Sequence, residues 1–88
     1  MIISFKDKST DDIYNGNNSK AARHIPDTVW ELARVKLDMI NAAHHLKDLP
    51  GASGNNEFHS LKIDRRYRVV FKWKEGNAES AAIMEKRS

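Results

Sequence analysis

Apolar and polar residues alternate weakly in Ile2-Ile3-Ser4-Phe5-Lys6, the period of a short strand. The next stretch, DKSTDDIYNG (7–16), predicts a short helix opened by Ser9 or Thr10 and stopped at Gly16, with Ile13 and Tyr14 as its apolar contacts. NNSKAARHIP (17–26) reads as a connector or a further helical turn, and Pro26 suits the approach to a helix N-terminus. A long helix follows. Thr28-Val29-Trp30-Glu31 has the spacing of a capping box, in which the Thr hydroxyl takes one orphan amide and Glu31 reaches back to another. From there Leu32, Val35, Met39, Ala42, Leu46 and Leu49 recur at three and four residues, with Ala33, Leu37 and Ile40 running alongside. So wide an arc predicts contact with two elements, the first helix and a sheet. Lys36 and Lys47 interrupt it and must snorkel, and Pro50-Gly51 ends the helix.

The period then changes to two. GASGNNE (51–57) predicts a loop without hydrophobic content. FHSLKI (58–63) places Leu61 and Ile63 on one strand face and Phe58, Ser60 and Lys62 on the other. Asp64-Arg65 predicts a tight turn. Beyond it Tyr67, Val69, Phe71 and Trp73 line a core, while Arg66, Arg68, Lys72 and Lys74 share the opposite face with Lys62. Glu75-Gly76-Asn77 turns into a last strand, AESAAIMEKRS (78–88), with Ala81 and Ile83 facing the core. The predicted order is β-α-α-β-β-β, an α+β fold. In it a three-stranded antiparallel meander joins an N-terminal strand, the helices cover one sheet face, and the other stays open. At 88 residues, one domain spanning residues 1–88 is expected.

Charge gives the open face its interest. Residues 1–56 carry seven Lys/Arg and seven Asp/Glu, which cancel, whereas residues 57–88 carry eight against five, so the excess lies in the last third. Four cations on one strand face repel one another, and a polyanion is the partner that would reward them, through phosphate contacts that release counterions. The chain has no cysteine, which excludes disulfides, thiol catalysis and thiolate metal sites. MIISFKDKST is too short and too soon charged for a signal peptide, and no run of about 18 apolar residues could cross a membrane, so a soluble cytoplasmic protein without membrane contact is expected. His44 and His45 diverge by about 100° on a helix and His24 lacks a neighbouring ligand, so neither a metal nor another cofactor is expected. Trp30 and Trp73 read as packing residues, and Asn17-Asn18-Ser19 has glycosylation spacing that matters only in a secreted protein.

Taken together, the opening MIISF, the helix text ARVKLDMINAAHHLKDLPG, the strand pair HSLKIDRRYRVVFKW and the GNA hairpin resemble a known family. It is the HigB or proteic killer branch of the RelE superfamily, ribosome-dependent mRNA-cleaving toxins of bacterial toxin–antitoxin pairs. The resemblance runs nearly end to end and implies the β-α-α-β-β-β fold, with mRNA cradled on the open sheet face. Two departures stand out. Members usually carry an Arg-rich segment between the Pro-Gly turn and the second strand, where this chain has ASGNNE. Members also typically end on a catalytic Tyr-His pair, where the hairpin alignment puts Lys86 and Arg87.

Cleavage by a ribose 2′-hydroxyl needs an oriented nucleophile, a proton acceptor and donor, and positive charge at the developing phosphorane. The resemblance assigns the charge to Arg68, mid-strand on the open face, with Lys62 second. His59 is the natural proton carrier, although its parity places it with Leu61 as a packed edge residue. Lys86 and Arg87 replace Tyr-His and supply charge or mark a weakened enzyme. Arg65, Arg66, Lys72 and Lys74 are expected to bind RNA. The partners implied are a cognate antitoxin, a helix-turn-helix protein, with operator DNA reached only through it, and the ribosome with its mRNA. The helix flank of Arg34, Asp38, Asn41 and His45 is the expected antitoxin contact. Two further readings stay open: a same-fold toxin of the gyrase-poisoning kind, and a degenerate module that binds RNA or antitoxin without cutting.

Overall fold

The computed structural model describes residues 1–49, 51–54 and 57–86. Helix α1 (Lys8–Tyr14) forms where expected, but its cap is Asp7, whose carboxylate accepts from Thr10 N at 2.8 Å. Neither predicted cap residue serves, because both are engaged elsewhere. Ser9 Oγ donates to Ala21 O at 2.7 Å, and Thr10 is fully buried with its Oγ1 accepting from Ile83 N at 2.8 Å. A short 3-10 turn (Ala22–His24) then leads to α2 (Asp27–Ala42).

Helix α2 departs from its reading in three ways. It starts after Pro26, so Thr28 already has helical backbone and the Thr28–Glu31 capping box does not form. Its buried stripe is Val29, Ala33, Leu37 and Ile40, whereas Leu32 and Val35 are 41% and 49% exposed. The wide apolar arc therefore has one side in the core and one side in solvent. The helix also stops at Ala42, seven residues short of Leu49, because Asp48 Oδ2 accepts from His44 N at 3.3 Å and His45 N at 3.0 Å and a separate 3-10 turn (Leu46–Asp48) begins there. Pro50, predicted to end the helix, lies outside the described residues.

The sheet holds β1 (Ser53–Gly54), β2 (His59–Lys62), β3 (Tyr67–Lys74) and β4 (Asn77–Glu85) in sequence order, all antiparallel. β1 lies within the stretch predicted as loop; its two residues pair Ser53 with Ser60 and Gly54 with His59. The turn into β3 is an Asx turn, Asp64 Oδ1 accepting from Arg66 N and Tyr67 N at 2.8 Å each. Glu75 (φ 52°) and Gly76 (φ 80°) make the two-residue link to β4, both left-handed as a type I′ hairpin requires.

The N-terminal segment runs parallel beside β4 and pairs with it in two isolated bridges, Ile2–Ala78 and Phe5–Ala81, so the predicted first strand is reduced to these. Ser80, with φ 54°, bends β4 between those points and gives its N–H to Ser4 Oγ at 2.9 Å. Ile13 of α1, the α2 stripe, Leu61, Ile63, Val69, Phe71, Ala81 and Ile83 form one core. The two helices thus pack on one face of the antiparallel sheet in the expected α+β fold.

Candidate functional site

Strand register puts side chains of the open face in rows. Lys62, Arg68 and Met84 pair across β2, β3 and β4, and the next row is Ser60, Val70 and Ala82. Beyond it the Lys72 ammonium lies 5.2 Å from the centroid of the Phe58 ring. A cleft of ≈ 240 Å³ opens at the first row, lined among others by Ser60, Lys62, Asp64, Tyr67, Arg68 and Lys86. Lys86 is brought there because its N–H donates to Arg66 O across the turn. An adjoining cleft of ≈ 160 Å³ shares Ser53, Ser60 and Arg68 with the first and adds Phe58, His59 and Val70.

The charges in this corner are not neutralised internally. Among the described residues Lys62, Arg68 and Lys86 form no ion pair, and Arg68 Nε is buried without a hydrogen-bond partner. A buried guanidinium nitrogen left so costs free energy unless a ligand completes it. Asp64 also borders the cleft, but one of its carboxylate oxygens is already committed to two backbone amides.

Lys62, Arg68 and Lys86 therefore converge, and the other candidates do not all join them. Arg66 precedes β3 and is exposed in the turn with Arg65, rather than standing on the strand face, because the Asx turn claims residues 64–66. Lys72 sits two rows along, and Lys74 is exposed at the far end of β3. His59 is half-buried with its ring 5.9 Å from that of Phe71, as its parity implies, and it borders the second cleft alone. Arg87 lies outside the described residues. Ser53, Ser60, Asp64, Tyr67 and Phe58 were not singled out from the sequence. The parity of FHSLKI put Phe58 and Ser60 beside Lys62, which was the available signal, whereas nothing in GASGNNE marked Ser53.

A somewhat larger cleft, ≈ 280 Å³, lies on the helical side between Arg23, Ile25, Pro26, Asp27 and Trp30. Its lining holds one basic residue, Arg23, which donates to Asn18 Oδ1, and one acidic residue, Asp27, so charge does not accumulate there. The cationic corner is the better candidate despite its smaller volume. Among the described residues no three His, Asp or Glu side chains gather around a metal position, and no helix is long and apolar enough to cross a membrane.

An uncharacterized protein of Haemophilus influenzae is 28% identical over 69 residues, a match covering 68% of this chain and 64% of that relative. The chain thus spans somewhat under two thirds of the relative's length. A broader match extends over residues 3–84, nearly the whole sheet and both helices, and by it the chain belongs to the HigB-like family of RelE-like toxins from type II toxin–antitoxin systems.

Proposed function

We propose that this protein is a toxin that cuts mRNA in the ribosome and is silenced by a cognate antitoxin. The observation that carries the reading is the convergence of Lys62, Arg68 and Lys86 in one cleft, none of them in an ion pair among the described residues. In the reaction the 2′-oxygen attacks the adjacent phosphorus, a 2′,3′-cyclic phosphate forms, and the 5′-oxygen leaves. One proton is taken from the 2′-hydroxyl and one is given to the leaving oxygen. Arg68 brings a guanidinium, with five donors in a fixed fork, and so serves the phosphorane rather than the protons. Lys62, opposite it in register, shares that load. Proton transfer falls to Lys62, Lys86 or the His59 imidazole bordering the groove, which carry what Tyr-His would have supplied. Arg65, Arg66, Lys72 and Lys74 extend the positive surface along the RNA.

The antitoxin contact is assigned to α2, where Leu32 and Val35 remain exposed beside Arg34. Asp38 and Asn41 of the same helix are partly occupied, the first by Tyr14 OH at 2.8 Å and the second by Ile2 N at 2.9 Å. The test is to map mRNA 5′ ends in cells producing the chain. Codon-phased cuts are expected, and Arg68→Ala should remove both the cuts and the growth arrest while keeping the native far-UV spectrum. Intact mRNA during growth arrest overturns the reading and favours a toxin with another target.

A further inference from the structure

Helix α2 carries a second apolar stripe that its own domain does not cover. Val29, Ala33, Leu37 and Ile40 are buried, whereas Leu32 and Val35 stand 41% and 49% exposed on another side of the helix. Thr28, Leu32, Val35, Met39 and Ala42 follow one another in alternating steps of four and three residues. That is the spacing of a coiled-coil seam, with Leu32 and Met39 at a positions and Thr28, Val35 and Ala42 at d positions. All but the half-buried Met39 are exposed. On the opposite side, Ala33 at b and Leu37 at f are enclosed in the domain's own core. The seam is thus the side of α2 left for a partner, and another helix is the element it fits.

The flanks of the seam say which helix. Glu31 and Asp38 hold the g positions and Lys36 an e position. Asp38 accepts from Tyr14 OH at 2.8 Å, but Glu31 and Lys36 form no ion pair among the described residues. In a parallel helix pair each g residue lies beside the following e residue of the other helix. Glu31 of either copy then meets Lys36 of the other, and the two-fold axis makes that contact twice. Antiparallel copies would instead set the acidic flank against itself and Lys36 against Lys36.

We infer that α2 is a self-association surface: two copies of this chain pair along Leu32, Val35, Met39 and Ala42 with their helices parallel, held in register by Glu31 and Lys36. The inference goes beyond the toxin reading and does not depend on it. Because the antitoxin contact is assigned to the same helix, the two occupants exclude each other, and the pair belongs to the chain free of antitoxin. Two heptads bury less than a standard interface, so the pair is weak and forms with rising concentration.

Sedimentation velocity of the purified chain over a concentration series tests this. The mass of the native chain should rise from 10.1 kDa toward twice that value. Glu31→Lys and Lys36→Glu, each alone, turn both contacts repulsive and should weaken association by about tenfold or more. An equimolar mixture of the two variants restores opposite charges at both contacts and should associate as the native chain does, which also shows that each variant is folded. A native chain that stays monomeric throughout overturns the pairing and leaves the stripe to the antitoxin alone. Single variants that associate like the native chain, a Glu31→Lys chain that associates more tightly, or a mixture that stays monomeric while both variants keep the native far-UV spectrum each overturn it as well.

Discussion

Thr10 shows how much one side chain can settle. It is fully buried at the start of α1, and its hydroxyl oxygen is the acceptor for the Ile83 amide of β4. Thr10→Val keeps the shape and removes the acceptor, leaving a buried N–H unpaired; a loss of about 1–3 kcal/mol is expected in urea denaturation. Phe71→Ala should be worse, about 3–5 kcal/mol, because that ring is completely enclosed and packs edge-on to Trp73. Asp12 adds a pH dependence. The Ser19 hydroxyl, 2.6 Å from its carboxylate, and then the Lys8 ammonium hold its carboxyl below the ordinary value. A depressed carboxylate stabilises the fold above its unfolded-state pKa, and that contribution is lost as pH falls through the depressed value. Ser19→Ala should therefore be less stable than the native chain at about pH 7, with the gap closing toward about pH 2, as followed by denaturation at each pH.

At the scale of elements, period was a good guide and boundaries were not. Strands β2, β3 and β4 were legible because Leu61, Ile63, Val69, Phe71, Ala81 and Ile83 keep strict parity and all reach the core. The positions of Lys62 and Arg68 followed from the same parity, so the centre of the candidate site could be read directly. Helix α2 was misread because Leu32 and Val35 are as apolar as the residues that are buried, and periodicity cannot say which side of a wide arc meets the sheet. Its early end depends on Asp48 turning back to two amides, a tertiary choice with no pattern of its own. β1 was invisible for a different reason: its pairing rests on backbone contact at Gly54, not on side chains. A Cβ at Gly54, whose φ is 152°, would stand 2.1 Å from Phe58 O. Gly54→Ala should therefore expel β1 and cost more than about 1 kcal/mol, lowering the melting temperature by at least about 4–8 °C.

For the whole molecule the uneven charge of the sequence becomes a directed field. If RNA lies on this face as proposed, Lys62, Arg68 and Lys86 at one cleft, with Lys72 further along, would make three or four phosphate contacts. The logarithm of the RNA affinity should fall with the logarithm of salt at a slope of about −2 to −3, and Lys86→Ala should reduce the slope by about 0.7. A titration series in KCl measures both, and a slope near zero would exclude phosphate contacts as the source of binding. The fold that carries this field is closed late. Thr10 and the amide it binds are 73 residues apart, and Ser4 and the Ser80 amide 76. At roughly 5–20 residues added per second, Thr10 waits about 4–15 s for its partner to be synthesised. Every new copy thus spends its first seconds with its leading segment unpaired. Only the arrival of β4 turns that chain into the protein.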